Sequence, residues 1–313
     1  MKVSRRAASH GAEAEVRRSV QSASDGLAFD PASAPLTSPS VVAKLLDRHG
    51  LRAEKRLSQH YLTDPRVVDA VISAAGVGPE DEVWEVGPGL GVLTRALSSA
   101  AKRVVSIELD ARLFPLLEET LARASNVELV AGDALRIDLS RASKGSVFAA
   151  NLPYGVGTAV VVRALMCGRF ARLGLLLQRE VAERLAAGPG DPAYGSLSLL
   201  VAHHGRARVE RLVAPSAFMP APAVTSAVVR LELDLDMEPD PRTFALVRTA
   251  FRHRRKTLLS NLRLAGVPAR TGREALERLD MDPRVRAEEL DLASFRALAD
   301  VLPALDVPDG APE

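Results

Sequence analysis

The chain has 313 residues, of which 26% are charged and 47% are hydrophobic, which is the composition of an ordinary globular protein. No apolar stretch approaches the roughly 18–20 residues needed to cross a bilayer. The single cysteine, Cys167, excludes an internal disulfide and disfavours a cysteine-based metal site. The basic amino terminus lacks the apolar segment of a secretory signal, so we expect a cytoplasmic protein without membrane or metal partners.

The predicted elements begin after a stretch without hydrophobic periodicity. Residues 1–39 are rich in Ala, Ser, Arg and Pro, so we predict a flexible N-terminal tail. Helical spacing starts near residue 40, with Gly50 as the predicted stop, and a second amphipathic helix is predicted over 67–76.

Short apolar segments rich in β-branched residues then alternate with helical ones. Strands are predicted at 82–87, 103–109, 127–132, 146–152 and 172–178, with helices at 114–124 and 180–188. This alternation favours a mostly parallel α/β sheet with helices on both faces. Strands at 208–214 and 226–233 have no helix between them, which predicts an antiparallel pair at the end of the sheet.

Beyond the sheet the pattern is helical and basic. We therefore predict an α/β domain over 40–236 and a small basic helical domain over 237–313. The net charge of the whole chain is only +2, yet from Pro241 to Arg273 there are nine lysines and arginines and no acid. A block of one sign in a balanced chain indicates a polyanionic partner such as RNA, and a solvated helix face is the alternative interpretation.

Three glycines, Gly87, Gly89 and Gly91, stand between a predicted strand and a predicted helix. Glycine lets the backbone turn sharply and approach a ligand closely. The dinucleotide fingerprint would need glycine at position 92, which is Val92, and the Gly-Lys-Ser/Thr of a phosphate loop is absent. The loop therefore suits an adenosine-containing ligand without a pyrophosphate, and a simple tight turn is the alternative.

Two acidic residues follow the next two strands. Glu108 is placed to accept hydrogen bonds from ribose hydroxyls, and Asp133 to accept one from an adenine amine. Either residue alone is more often a cap or a turn residue. Because ligands of open parallel sheets bind at the carboxyl ends of the strands, the glycines and both acids together favour one shared ligand. S-adenosylmethionine fits best.

The fourth strand ends in Asn151-Leu152-Pro153-Tyr154, beside the predicted ligand. The Asn151 side-chain oxygen and a backbone carbonyl near Leu152 or Pro153 could hold both hydrogens of an adenine amine. Pro153 fixes the local φ, and the Tyr154 ring offers a surface on which an extruded base can stack. No general base is obligatory, because an alkylated amine loses its proton readily. A turn with a packing tyrosine is the alternative.

Several motifs occur in the order typical of one enzyme family. They are LSQHYLTD, EVGPGLGVLT, IELD, GDAL, NLPY, QREVAERLAAGPGDPAYGSLS, FMPAPAVTSAVVRL and FRHRRKTLLSNL. From about residue 40 to 303 the chain resembles the rRNA adenine N6,N6-dimethyltransferases, specifically the KsgA type of the bacterial small ribosomal subunit. The resemblance implies a Rossmann-like S-adenosylmethionine-dependent methyltransferase domain with a small all-helical C-terminal domain.

The resemblance also implies the reaction. The N6 amines of two adjacent adenines in the 3′-terminal hairpin loop of 16S rRNA would be dimethylated, with S-adenosylhomocysteine as the product. The substrate would be the 30S subunit or its precursor during maturation, and we expect a monomer. An Erm-like enzyme that modifies 23S rRNA is the nearest alternative. A non-catalytic RNA-binding factor with a methyltransferase fold is another, although the glycine loop and NLPY are intact.

Site residues follow from the same resemblance. The implied cofactor contacts are His60, Leu62, Gly87, Gly89, Glu108, Asp133 and Asn151. The implied catalytic residues are Asn151, Leu152, Pro153 and Tyr154. The usual Gly-Gln-Asn-Phe-Leu of the family reads Ser58-Gln59-His60-Tyr61-Leu62 here, so His60 stands where asparagine is usual.

RNA contacts are expected from two further segments. Phe218 would help to wall the adenine pocket, and packing in the core is the alternative. The basic residues expected to contact phosphates are Arg252, Arg254, Arg255 and Lys256, which would add affinity without sequence information. Tyr194 and Gly195 are interpreted as a structural loop in preference to an RNA contact.

Overall fold

A seven-stranded sheet is the centre of the protein, seen here in a computed structural model that describes residues 29–53 and 59–305. Side by side, the strands are β4 (Val127–Ala131), β3 (Arg103–Glu108), β2 (Glu82–Val86), β5 (Ser146–Asn151), β6 (Phe170–Gln178), β9 (Ser226–Leu233) and β7 (Gly205–Val213). Strands β2 to β6 run parallel, and β9 pairs antiparallel with both β6 and β7. The predicted mostly parallel sheet with an antiparallel end is therefore confirmed.

Helices cover both faces of this sheet. They are α1 (Pro39–Arg48), α2 (Pro65–Ala75), α3 (Val92–Ala100), α4 (Phe114–Thr120), α5 (Gly157–Met166), α6 (Arg179–Ala186) and α7 (Ser196–His204). Helices α5 and α7 are missing from the sequence predictions because both are apolar on most faces and lack the amphipathic period. None of the helices in the described part of the chain is long and apolar enough to span a membrane.

The residues after the sheet form a hydrophobic cluster of their own. Helices α8 (Pro241–Phe251), α9 (Leu258–Leu264), α10 (Ala269–Arg278) and α11 (Leu292–Val301) bury Leu246, Leu262 and Phe295. Tyr194, from the connection between α6 and α7, is buried in the same cluster and donates its hydroxyl hydrogen to Leu290 O at 2.9 Å. The helical region therefore packs directly against the connection between α6 and α7.

Residues 29–38 are packed, which corrects the predicted flexible tail over this stretch. Leu36 is only 1% exposed. The Arg95 guanidinium in α3 donates to two backbone carbonyls of the segment, at 3.2 and 2.6 Å. The prediction is wrong here because contacts with distant residues, and not local periodicity, hold the segment. The rest of the predicted tail, residues 1–28, lies outside the described residues.

A short strand pair lies apart from the main sheet. Strand β1 (Tyr61–Leu62) pairs antiparallel with β8 (Phe218–Met219), and Leu62 is opposite Phe218. Both of these side chains are buried in the cluster between the sheet and α2. The pair thereby fixes the 59–62 motif, which is far away in sequence, beside the ends of the parallel strands.

Candidate active site

The carboxyl ends of β2, β3, β4 and β5 border one cavity of about 190 Å³. The predicted site residues that line it are His60, Leu62, Gly87, Gly89, Glu108, Asp133, Asn151, Leu152, Pro153 and Tyr154. The structure therefore brings the predicted cofactor and catalytic residues together around one space. Within the described ranges, no group of three or more His, Cys, Asp and Glu side chains could hold a metal ion.

The glycine loop follows β2 and forms one wall of the cavity. Gly87 and Gly89 have φ of +73° and +59°, values that side-chain-bearing residues rarely adopt. A Cβ atom at Gly87 would lie 3.4 Å from Pro153 Cδ, and one at Gly89 would lie 3.3 Å from Tyr61 Cδ1. Both positions therefore favour glycine for their backbone conformation, and Gly89 also approaches the Tyr61 ring more closely than a Cβ atom usually does.

Glu108 ends β3 and is 6% exposed. The backbone N–H of Asp110 donates to Glu108 Oε1 at 2.8 Å. Burial raises the pKa of Glu108, and hydrogen bonds from the backbone of Asp110 and Gly89 oppose that shift. A carboxylate held in this way can accept further hydrogen bonds from hydroxyl groups inside the cavity.

Asp133 follows β4 and has a structural contact as well as a place in the cavity wall. Its Oδ1 accepts a hydrogen bond from the Leu135 N–H at 2.9 Å, and its Oδ2 lies 3.7 Å from Arg136 Nε. Asp133 is therefore also a turn residue, which was the alternative interpretation of its sequence position. Its second oxygen still leaves acceptor capacity at the cavity.

Glu85 is a cavity residue that sequence reasoning missed. It lies inside β2, is 1% exposed, and accepts hydrogen bonds through Oε2 from the hydroxyls of Thr94 at 2.7 Å and Ser106 at 2.8 Å. Burial raises the pKa of Glu85 to about 7, although both hydroxyls oppose the shift. The available signal was an acid inside an apolar strand, two residues before the first glycine of the loop.

Asn151 is the last residue of β5, and its side-chain amide is oriented by its neighbour across the cavity. Asn151 Nδ2 donates to the backbone carbonyl of His60 at 3.4 Å. The carbonyl of Pro153 accepts from the Val156 N–H at 3.1 Å in the following turn. Asn151 Oδ1 and the carbonyl of Leu152 are therefore the acceptors that these two contacts leave for a ligand amine.

Two aromatic residues considered for RNA binding lie elsewhere. Phe218 is 5% exposed and packs in the core, and among the described residues it is not part of the cavity wall. Tyr194 is 2% exposed in the helical cluster. For Phe218 the structure favours the core-packing alternative, because its β8 pairing with Leu62 turns the ring inward. For Tyr194 it agrees with the structural-loop interpretation.

The predicted basic residues lie in the turn between α8 and α9, and none of them lines the cavity. Arg252, Arg254, Arg255 and Lys256 are all exposed. Arg254 nevertheless has structural partners, since its Nη2 donates to the carbonyls of Pro192 at 2.9 Å and Tyr194 at 3.0 Å. It is thus tied to the loop before α7, whereas the other three point from an exposed turn.

A model of the family described as ribosomal RNA adenine dimethylase matches residues 50–302. The chain belongs to this family. Curated relatives of this dimethylase carry a consistent name. A ribosomal RNA small subunit methyltransferase A of Deinococcus radiodurans is 43% identical over 273 residues, covering 87% of this chain and 93% of the relative. Its namesake from Pelotomaculum thermopropionicum is 39% identical over 286 residues, covering 85% and 96%.

Solved structures resemble the dimethylase in fold. A dimethyladenosine transferase from Plasmodium falciparum has a TM-score of 0.67 at 27% identity, covering 76% of this chain and 95% of that one. The 23S rRNA methyltransferase ErmE has a TM-score of 0.63 at 25% identity, covering 77% and 98%. The protein is therefore an rRNA adenine dimethyltransferase with a Rossmann-like sheet, and its methyl donor is S-adenosylmethionine.

Proposed function

We propose that this dimethylase modifies the N6 amines of two adjacent adenines in the 3′-terminal hairpin loop of 16S rRNA, within the 30S subunit or its precursor. The observation that carries the proposal is the position of Asn151-Leu152-Pro153-Tyr154, which line the same cavity as the glycine loop and Glu108. Methylation of an adenine amine requires hydrogen-bond acceptors for that amine beside the methyl donor, and this strand end provides them. One chain supplies all of these residues, so we propose that a monomer acts, in the cytoplasm.

The residues of the cavity fit S-adenosylmethionine, which supplies an electrophilic methyl group when it is bound. Gly87 and Gly89 leave a cradle that Cβ atoms would narrow. We assign Glu108 to the ribose hydroxyls and Asp133 to the adenine amine, because each keeps acceptor capacity beside its structural hydrogen bond. Leu62 borders the same space from β1. The product, S-adenosylhomocysteine, would be held by the same contacts.

The chain activates the target amine by orienting it. Asn151 Oδ1 and the Leu152 carbonyl would accept the two hydrogens of the exocyclic amine. Holding both hydrogens favours a pyramidal nitrogen, whose lone pair would form the new N–C bond while the bond from the methyl carbon to sulfur breaks and S-adenosylhomocysteine leaves. The alkylated nitrogen then releases a proton to solvent, so no side chain of the cavity has to act as a general base.

The small-subunit substrate is favoured over 23S rRNA by the degree of similarity. The relatives named for the small subunit are 39–43% identical over at least 85% of this chain, whereas ErmE is 25% identical over 77%. A purely RNA-binding role is disfavoured because the glycine loop, Glu108 and Asn151 converge on one cavity. Arg252, Arg255 and Lys256 would contribute phosphate contacts.

The test is methyl transfer from labelled S-adenosylmethionine to 30S subunits taken from a strain that lacks this modification, with 50S subunits in parallel. We expect label only in 30S subunits, at two adjacent adenines of 16S rRNA. Label confined to 50S subunits would support the Erm-like alternative, and no transfer to either would support a non-catalytic RNA-binding role.

A further inference from the structure

His60 makes an aromatic contact that cofactor binding does not require. Its imidazole ring is stacked on the ring of Tyr154, with 5.4 Å between the centroids and 30° between the planes. Both residues line the cavity. One face of Tyr154 is thus covered by His60, and a base can stack only on another part of the tyrosine ring unless the imidazole moves.

The imidazole is itself held in place. His60 Nδ1 lies 2.7 Å from the carbonyl oxygen of Pro220. Because a carbonyl oxygen can only accept, Nδ1 carries the hydrogen and donates it. Pro220 follows β8 directly, so this bond ties His60 to the segment that also pairs with β1. This hydrogen bond restrains the imidazole beside the Tyr154 ring.

His60 and Tyr154 each make a further hydrogen bond through other atoms. The backbone carbonyl of His60 accepts from Asn151 Nδ2 at 3.4 Å. The hydroxyl of Tyr154 lies 2.6 Å from Ser226 Oγ, at the start of β9. Tyr154 is therefore held at its hydroxyl by Ser226 and at its ring face by His60.

We propose that His60 is a positioning residue whose imidazole braces Tyr154, so that the free part of the tyrosine ring receives the target adenine at a fixed orientation. This inference rests on the proposed function, since it concerns the stacking of the substrate base. It gives the His60 side chain a role toward the base, while the His60 backbone carbonyl orients the Asn151 amide. An asparagine, usual at this position in the family, has no ring and could not provide this stacking contact.

Kinetics on three variants test the brace. His60→Ala and His60→Asn remove the ring, and His60→Phe retains a ring but loses the Nδ1 hydrogen. With 30S subunits as the substrate, we expect kcat/KM for RNA to fall roughly three- to tenfold in the first two variants, and His60→Phe to recover most of the loss. Because His60 also lines the cofactor cavity, the discriminating result is that the dissociation constant for S-adenosylhomocysteine, measured by calorimetry, changes less than kcat/KM for RNA falls.

A cofactor-contact variant makes the binding assay interpretable. Glu108→Ala should weaken S-adenosylhomocysteine binding strongly, which shows that the calorimetry detects the loss of a cavity contact. If His60→Ala weakened that binding as much as it lowered turnover, and His60→Phe were no better than His60→Ala, the imidazole would be a cofactor contact and the brace would be refuted.

A second measurement needs no RNA and separates the brace from the proposed function. Urea unfolding of His60→Ala, Tyr154→Ala and the double variant forms a thermodynamic cycle. If the two rings brace each other, the double variant loses less stability than the sum of the single losses. Strict additivity would refute the brace, even in a protein that methylates 30S subunits. Coupling in a protein that fails to methylate would retain the brace and reject the substrate assignment.

Discussion

The ionisation of Glu85, a buried residue of the cavity wall, should make the stability of the protein depend on pH. Its carboxyl group is held inside β2 by two hydroxyl donors, and burial raises its pKa to about 7. Nearby Glu108 adds to this shift because two negative charges in one cavity repel each other. Glu85 therefore keeps a proton in the native protein at a pH where it would be ionised in the unfolded chain.

Replacing Glu85 with Gln should change how stability depends on pH. Because the native pKa is raised, the wild-type stability is greatest below about pH 4.5 as far as this group is concerned, and it falls as pH rises through about 7. Gln can still accept both hydroxyl hydrogens but does not ionise. Relative to the wild type, the variant should therefore gain stability between pH 5 and pH 8, by on the order of 1–3 kcal/mol. Urea unfolding at both pH values measures this, and parallel pH dependence of the two proteins would contradict it.

Asn151→Ala should reduce methyl transfer by about two to three orders of magnitude while the fold is retained, because it removes one of two oriented acceptors for the amine. Single-turnover methylation and circular dichroism measure the two effects. Asn126→Ala is the matched control, since its amide donates to the carbonyls of Ser98 and Ala101 at the opposite edge of the sheet. Near-wild-type turnover of Asn151→Ala would remove the amide from the mechanism.

Three of the predicted cofactor and catalytic residues share one property: each ends a strand of the parallel sheet or follows one. Glu108, Asp133 and Asn151 could be placed because parallel strands end at the same edge. Glu85 could not, because it is inside a strand and its partners come from α3 and β3. The hydrogen bonds of Arg254 to the loop before α7 could not be predicted from the sequence either, because they join residues about 60 positions apart.

At the scale of elements, the segment before α1, residues 29–38, packs against residues that line the cavity. Leu36 is buried in the same cluster as Tyr61, Leu90 and Leu113, and these three residues line the cavity. Composition alone predicted a flexible tail, since alanine, serine and proline carry little hydrophobic pattern. The segment is held by burial against α4 and by hydrogen bonds from Arg95. Neither interaction produces a recognisable pattern in the sequence of the segment itself.

Leu36→Ala should therefore lower the free energy of unfolding by about 2–4 kcal/mol, as expected for a buried leucine. Leu264→Ala is the matched control, because this leucine is 54% exposed and its loss should cost less than about 0.5 kcal/mol. Urea denaturation of both variants measures the difference. If both variants lost equally little stability, residues 29–38 would contribute as little to folding as a flexible tail.

At the scale of the whole molecule, the catalytic cavity and the exposed basic turn lie in different parts of the structure, so chemistry and RNA affinity should be separable. The mostly parallel sheet and its antiparallel end followed from periodicity and connection type, whereas the order of the strands was not predicted. The way the helical region docks did not, because Tyr194 joins its core from a loop of the sheet region. A boundary drawn from the sequence alone cannot anticipate such a contribution.

Arg255→Ala combined with Lys256→Ala should weaken RNA binding and flatten its salt dependence by about 0.7–0.9 in slope per lost phosphate contact. Affinity for S-adenosylhomocysteine should be unchanged, because neither residue lines the cavity. Lys102→Ala with Lys144→Ala is the charge-matched control, since both of these lysines are paired with acids at the opposite edge of the sheet. An unaltered slope in the first pair would exclude that turn from the interface.

Trp84 is the only tryptophan of the sequence, and it lies in β2, 4% exposed and edge-on to Phe170. Its intrinsic fluorescence therefore reports on the sheet alone, whereas far-ultraviolet circular dichroism also registers α8 to α11. If the two signals follow different urea transitions, the helical region unfolds independently of the catalytic sheet. Coincident transitions would show that the docking through Tyr194 makes the protein one cooperative unit. The position of a single indole ring thus provides an optical probe of the coupling between the sheet and the hydrophobic cluster of the helical region.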